Sequence, residues 1–134
     1  MAGTVTQATT TLVDHIKVVT LTCTADASDG SYPSTALTGV PNNGKGGRLL
    51  QIATDPGATA PQSNYDIVLT EGGGADLLLG VGANRHTSNS EVAIIENNGA
   101  HPVYAGTDTL TLALSNNNVN SALVTIKLYF TEGV

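Results

Sequence analysis

The chain has no tryptophan, one phenylalanine and one cysteine among its 134 residues. A single cysteine excludes an intrachain disulfide. Cys23 lies in the run KVVTLTCTA, where alternation places it on the same strand face as Val19 and Leu21. We therefore expect Cys23 to be a small buried core residue, because a reactive thiol needs neighbours that stabilise the thiolate and only Lys17 is close in sequence.

Positive charge is also scarce, with 5 Lys and Arg against 11 Asp and Glu and a net charge of −6. Proteins that bind nucleic acids or anionic membranes need clustered cations. No apolar run approaches the roughly 20 residues that cross a bilayer, and the first ten residues lack the basic and apolar regions of a secretion signal. We expect a chain made in the cytoplasm, with neither nucleic acid nor membrane as a partner.

Charged residues make up only 12% of the chain. Threonine, glycine and asparagine must therefore form much of its polar surface. Threonine favours strands, whereas asparagine and glycine favour tight turns. No stretch sustains the 3.6-residue apolar repeat of a long helix. These features predict one all-β domain over residues 1–134, an antiparallel β-sandwich or Greek-key barrel with long Gly- and Asn-rich loops.

Alternation of apolar and polar residues predicts the individual strands. The clearest pair, at residues 110–114 and 122–130, flanks the run SNNNVNS and predicts an antiparallel hairpin with one buried face. Further strands are predicted at residues 15–25, 47–55 and 64–70, with shorter ones near 4–9, 91–95 and 103–105. The pair Pro56–Gly57 predicts a turn, in which Asp55 and Asn64 bond nearby backbone amides.

A catalytic centre is not expected. The three histidines, His15, His86 and His101, lie in different parts of the chain, and no serine occupies a Gly-x-Ser-x-Gly elbow. A nucleophile would therefore lack a base and an orienting acid. Histidine and cysteine never approach the spacing of a zinc site. We predict no catalytic residue, no metal ligand and no cofactor.

Two loops carry fragments of binding motifs. DASDG places Asp26 and Asp29 before Gly30, but Ser28 takes the place of an acidic ligand and no glutamate follows, so the run predicts a turn rather than a calcium loop. Gly80-Val81-Gly82 lacks the third glycine of a dinucleotide-binding loop. We interpret it as a flexible or close-packed loop.

Arg85 is one of the few cations and lies in a polar loop between Asn84 and His86. It is either an ordinary solvated arginine or one whose planar guanidinium pairs with a carboxylate in a buried or interfacial position. A glycan-binding module would need aromatic faces. Without tryptophan these could come only from the tyrosines Tyr32, Tyr65, Tyr104 and Tyr129.

The run GRLLQIATDPGATAPQSNYDIVLTEGGGADLLLGVGANRHTSNSE, residues 47–91, resembles small structural proteins of tailed bacteriophages and prophages. In their pattern a Leu-rich strand leads into T-D-P-G-x-x-A-P-x-x-N-Y-D-I, followed by an acidic, Gly-containing turn and L-x-G-x-G-A-N-R. In this chain the corresponding turn is EGGGAD, which is less acidic than the turn of the family pattern. The opening MAGTVTQ and the closing NNNVNSALVTIKLYF also resemble the family, which implies a virion component without catalytic residues.

The resemblance implies a decoration (cement) protein on the surface of the phage head, bound to the major capsid protein and associated with itself as a homotrimer. Residues 1–12 are a possible N-terminal arm, and Thr4, Val5 and Thr6 could add a strand to a neighbour. Arg85 is a further candidate interface residue. Two alternatives stay open: a tail, collar or fibre-associated virion module, and a receptor- or glycan-binding β module.

Overall fold

The structure is a computed structural model that describes residues 1–13, 15–38, 46–105 and 109–132, with only the backbone of Glu132. Part of the long loop expected before residue 47 lies outside the described residues, at 39–45. The described residues form strands and no helix: β1 (Thr4–Val13), β2 (Ile16–Thr24), β3 (Thr35–Ala36), β4 (Gly47–Pro56), β5 (Asp66–Thr70), β6 (Glu91–Ile94), β7 (Val103–Tyr104), β8 (Thr111–Ser115) and β9 (Leu123–Glu132). Over these residues no helix has the length and hydropathy that crossing a bilayer requires.

The strands form two antiparallel sheets. The large sheet has the order β1-β2-β9-β4-β6, and β7 also pairs with β4. The small sheet has the order β3-β8-β5. Buried side chains of both sheets form one hydrophobic cluster, as in a β-sandwich. The all-β antiparallel fold predicted from the sequence is confirmed.

Strict alternation along each strand builds the core. In β9 the residues Val124, Ile126, Leu128 and Phe130 are fully buried, and their neighbours in sequence point to the opposite face of the large sheet. In β2 the inward residues include Cys23, which is fully buried as predicted. Because successive side chains of a strand point to opposite faces, this alternation gives the large sheet one core face and one outward face.

The predicted hairpin between residues 110–114 and 122–130 is wrong. β8 belongs to the small sheet and β9 to the large sheet, so the two strands do not pair with each other. Their buried faces are correct, since Leu112 and Leu114 lie opposite the core face of β9 within one cluster. A period of two identifies the buried face of a strand but carries no information about its hydrogen-bonding partner.

The Asn-rich link between β8 and β9 crosses from one sheet to the other because its amides bind other loops. The Asn117 Nδ2 donates to the Gly30 carbonyl oxygen at 2.7 Å, and the Asn117 Oδ1 accepts from the Gln62 backbone N–H at 2.9 Å. The Asn118 N–H donates to the Gln62 Oε1 at 2.9 Å. The link therefore forms hydrogen bonds with distant loops, whereas a hairpin turn would form them within itself.

The turn predicted at Pro56–Gly57 is also wrong. Pro56 is the last residue of β4 and is paired with Val124, and the Gly57 N–H donates to the Leu123 carbonyl oxygen at 2.7 Å. A Cβ at Gly57 would lie 2.9 Å from the Leu123 Cδ2. The glycine is therefore required for close packing of the chain against β9. Among the contacts of the described residues, the Asp55 Oδ1 accepts from the hydroxyl of Ser90, which is far away in sequence, and from no local amide.

Three smaller segments differ from the strands predicted from the sequence. β1 runs to Val13, beyond the predicted end near residue 9, and pairs with β2 along its length. The two-residue strand β3 was not predicted, because two residues are too short to show alternation. Residues 77–82 form a series of turns, and Asp76, directly before them, accepts hydrogen bonds from the N–H groups of Leu69, Leu78 and Gly80.

Burial of the core titratable groups predicts a loss of stability at alkaline pH. Burial raises the pKa of the Cys23 thiol from 9.0 to about 12. Between those values the thiol ionises in the unfolded chain but not in the folded protein, so the free energy of unfolding falls as the pH rises. Each such group contributes a slope of up to about 1.4 kcal/mol per pH unit. Urea denaturation between about pH 8 and about pH 11 measures this slope.

The Cys23→Val variant separates the thiol from other alkaline groups. It removes the ionisable group while keeping a small apolar side chain, so its free energy of unfolding should decline less steeply with pH than that of the wild type. Equal slopes for the two proteins would show that Cys23 ionises as readily in the folded state as in the unfolded state.

Candidate interaction surfaces

Two distinctive segments of the 47–91 run form hydrogen bonds with each other. They are Asn-Tyr-Asp-Ile (64–67) and Gly-Ala-Asn-Arg (82–85). The Asn64 N–H donates to the Arg85 carbonyl oxygen at 3.0 Å, and the Arg85 N–H donates to the Tyr65 carbonyl oxygen at 2.8 Å. The Ile67 N–H donates to the Gly82 carbonyl oxygen at 2.8 Å. We call this the 64–67/82–85 pairing. It joins two segments that are far apart in sequence at the end of the small sheet.

Each unusual residue of the 64–67/82–85 pairing has a structural role. The Asp66 Oδ1 accepts from the Asn84 N–H at 2.8 Å. Asn64 and Asn84 have φ values of 67° and 56°, in the left-handed region that asparagine tolerates better than most residues. A Cβ at Gly82 would overlap the Ile67 carbonyl oxygen. Gly82 is therefore a close-packed glycine, which is one of the two interpretations given to this loop.

Arg85 is directed toward its own chain. Its Nε and Nη2 donate to the Ala83 carbonyl oxygen at 3.3 and 3.2 Å, and its Nη1 lies 3.7 Å from the Glu91 Oε1. That same carboxylate oxygen accepts from the His86 N–H at 2.8 Å. The arginine side chain is 17% exposed. These contacts are neither a bidentate pair nor a freely solvated arginine, and a role for Arg85 at an interface stays a prediction.

Tyr65 lies beneath this arginine in the core. Its hydroxyl and the Thr54 Oγ1 are both buried, and neither makes a hydrogen bond of good geometry within the described residues. Burial raises the pKa of Tyr65 to about 12, and the nearby Thr54 hydroxyl opposes part of that rise. The phenol is therefore neutral at physiological pH, and it contributes apolar ring surface to the core.

β1 forms one edge of the large sheet. The structure lays the predicted interface residues Thr4, Val5 and Thr6 along β2, with Thr4 and Thr6 exposed and Val5 packed against the core. No described strand covers the outer side of β1. Over its ten residues β1 carries neither charge nor proline, the features that commonly prevent an edge strand from pairing with another chain.

A groove of about 260 Å³ opens on the outward face of the large sheet, where β9, β4 and β6 meet. Its walls combine hydroxyl, charged and apolar groups: Ala53, Thr54, Asp55, Ser90, Glu91, Val92, Thr125, Lys127 and Tyr129. Tyr32, Tyr65 and Tyr104 are buried, whereas Tyr129 is partly exposed. Of the four tyrosines considered for glycan binding, Tyr129 alone is not buried.

Two of the three histidines, His86 and His101, accept or donate hydrogen bonds within their own part of the chain. The His86 Nδ1 accepts from the N–H groups of Ser88 and Asn89 at 3.0 Å, and the His101 Nδ1 donates to the Ile95 carbonyl oxygen at 2.6 Å. His15 is exposed at the turn between β1 and β2.

DASDG forms a turn, as predicted. The Asp26 Oδ1 accepts from the N–H and hydroxyl of Ser28, and the Asp29 Oδ1 accepts from those of Ser31. The hydrogen bonds from Ser28 lower the pKa of Asp26. Over the part of the chain that the structure describes, no three His, Cys, Asp or Glu residues come close enough to hold a metal ion.

One surface was missed at the sequence level. Val92, Ile94 and Val103 are 64%, 54% and 67% exposed, although apolar residues in predicted strands were expected to face the core. We call these three residues the aliphatic stripe. The sequence contains a signal for it, because buried Ile95 follows Val92-Ala93-Ile94 and breaks the alternation that would place all these residues inward.

No family model and no curated protein matches the chain. Among solved structures it is similar to a chain of the cyanophage Pam1 capsid asymmetric unit, with a TM-score of 0.40 and 16% identity over 98% of this chain and 86% of that chain. It is also similar to a cupin domain of Bordetella pertussis Tohama I, with a TM-score of 0.32 and 10% identity over 98% and 97% of the two chains. Likeness at this level assigns neither a family nor a function.

The close approach at Gly82 predicts a destabilised Gly82→Ala variant. The added methyl group would force the Ile67 carbonyl away and weaken the 64–67/82–85 pairing, at a cost of about 1–3 kcal/mol, typical of overpacking. Urea denaturation of the two proteins measures the difference.

Gly73→Ala is the matched control, since it lies in the same region of the chain. A Cβ at Gly73 meets only the end of the flexible Glu71 side chain, which can move aside. We expect this variant to stay within about 0.5 kcal/mol of the wild type, as for surface substitutions in general. Equal losses of stability in the two variants would contradict the structural role of Gly82.

Proposed function

We propose that this protein is a non-enzymatic structural component of the virion of a tailed phage or prophage, bound as a decoration protein to the outer surface of the assembled head. The resemblance of residues 47–91 to small phage structural proteins supports this role. Its partners in this proposal are the major capsid protein and further copies of the same chain, associated as a homotrimer.

The observation that carries the proposal is the outward face of the large sheet. Threonines lie next to one another across its strands, as in the row Thr6–Thr22–Thr125. Because β-branched side chains are stiff at χ1, a face built from them loses little conformational entropy when a partner covers it. Few charges also mean a small desolvation cost. Both properties suit a preorganised docking surface.

The edge of the large sheet at β1 supports a second kind of contact. Backbone groups on the outer side of an edge strand can pair with an extended segment of a neighbour, and Thr4, Val5 and Thr6 lie on this edge. A cyclic trimer requires two different patches on each subunit to meet. In this proposal β1 provides one of these patches, and many copies on one particle bind tightly through avidity although each contact is weak.

Cosedimentation tests the proposal. The purified chain is mixed with heads that lack it, and the pellet is compared with that of a sample without heads, alongside its mass in solution. A decoration protein saturates the heads at a fixed ratio to the major capsid protein. The absence of pelleting with heads, together with pelleting with tails, would assign the chain to a tail, collar or fibre-associated module instead.

The groove beside Tyr129 favours one second candidate, a glycan-binding module. A partly exposed tyrosine and the surrounding hydroxyl and charged groups are the kinds of group that contact a sugar face and its hydroxyls. Under this alternative the chain shows saturable binding on a glycan array, and Tyr129→Ala abolishes that binding. Array signals that do not respond to Tyr129→Ala would dismiss the groove as a sugar site.

A further inference from the structure

We propose that the aliphatic stripe, flanked by Arg48 and Lys127, is the part of the outward face that makes the central contact with the head, where it meets an aliphatic protein patch bordered by carboxylates. This inference rests on the proposed function and identifies the docking surface and the chemistry of the partner.

The aliphatic stripe is continuous. β6 and β7 both pair with the same edge of β4, so Val92 lies opposite Ala53, Ile94 opposite Gln51 and Val103 opposite Arg48. The register of β4 with β9 places all three on the outward face of the large sheet. From Arg48 to Ala53, at about 3.3 Å per residue along β4, the stripe extends over roughly 16 Å. This length matches a protein-binding surface better than a single small ligand.

The connection between β6 and β7 holds the stripe in place. The Asn97 N–H donates to the Ala100 carbonyl oxygen at 2.9 Å, and the reverse bond measures 3.1 Å. Ile95 is buried, and its N–H donates to the Leu50 carbonyl oxygen at 2.9 Å. The stripe is therefore anchored to β4 and the core on its inner side. Such preorganisation lowers the entropic cost of docking.

The aliphatic stripe differs in composition from the part of the outward face formed by β1, β2 and β9. Where β1, β2 and β9 present outward side chains, threonine recurs, as at Thr6, Thr22 and Thr125. Threonine suits an exposed strand as well as valine does and leaves less apolar surface in water. Three large aliphatic side chains grouped on one edge indicate a surface that is covered in the assembled particle.

The two exposed cations beside the stripe indicate that its partner is acidic. The chain has a net charge of −6 with only 5 Lys and Arg, yet Arg48 and Lys127 are both exposed on this face. Arg48 lies opposite Val103, and Lys127 lies opposite Ala53, the residue that pairs with Val92. Neither cation forms an ion pair with another described side chain. Asp55 and Glu91 line the groove beside Lys127, but Arg48 and Lys127 are the groups on this face that attract carboxylates of a partner and so orient an acidic surface on the stripe.

A second copy of the chain fits this surface less well. Self-association through one patch brings the same residues of both copies together. Arg48 and Lys127 would then be doubled in a single interface, and like charges at close range oppose association. A partner with carboxylates around an apolar centre neutralises both cations and covers the three aliphatic side chains.

The triple variant Val92→Thr, Ile94→Thr and Val103→Thr tests the inference. Threonine keeps the β-branched shape and removes most of the exposed apolar surface, so the urea midpoint and the mass in solution should stay those of the wild type. The apparent Kd for heads that lack the protein, measured by cosedimentation, should rise at least about tenfold. Val68→Thr, at a partly exposed valine on the outward side of β5 in the small sheet, is the matched control and should bind as the wild type does.

The charge-reversal variant Arg48→Glu with Lys127→Glu tests the chemistry of the partner. Its affinity for heads should fall, and raising the salt concentration should weaken the wild type more than this variant, because salt screens attraction only where the attraction exists. Equal salt dependence of the two proteins would contradict an acidic partner.

The outcomes separate this inference from the proposed function. If the wild type does not pellet with heads, the decoration function fails and this inference fails with it. If the wild type pellets and the triple variant binds equally well, the decoration function stands and the stripe is not the docking surface. If the triple variant loses its solution oligomer, the stripe binds a second copy, and the partner proposed here is wrong.

Discussion

The fold depends on one strand. β9 lies at the centre of the large sheet, between β2 and β4, and its inward residues Val124, Ile126, Leu128 and Phe130 are fully buried. The hydrogen bonds of this strand hold the two halves of the sheet together, and its side chains fill the space toward the small sheet. The ring of Phe130 meets that of Tyr104 edge-on, with centroids 5.5 Å apart, a favourable geometry for two aromatic rings.

Sequence patterns correctly predicted the features that depend on residues close together in the chain. Alternation placed Cys23 and the leucines of β8 on the buried face, and composition indicated an all-β domain. The same patterns could not give the partner of a strand, and so β8 and β9 were joined as a hairpin although they lie in different sheets. The link between them is directed by amide contacts to residues such as Gln62. Those contacts exist only after folding.

The candidate surfaces were predicted less well, for a related reason. Pro56–Gly57 is common in turns, yet here the chain continues along β9, and only the packing of Leu123 shows why glycine is needed. The motif residues 64–67 and 82–85 are distinctive as a sequence, and the structure shows them bonding to each other. The exposure of Val92 and its neighbours depends on the register in which β6 pairs with β4. Alternation alone does not contain that information.

The position of β9 has a consequence for biosynthesis. A ribosome releases β1, β2 and β4 well before β9, but within the large sheet β2 and β4 are each paired to β9 and not to each other. Most pairings in this sheet therefore join residues that are distant along the chain, and such contacts form slowly. Until β9 has been translated, the inner faces of β2 and β4 have no central strand between them. A nascent chain of this protein would then depend on low local concentration or on chaperones to avoid aggregation.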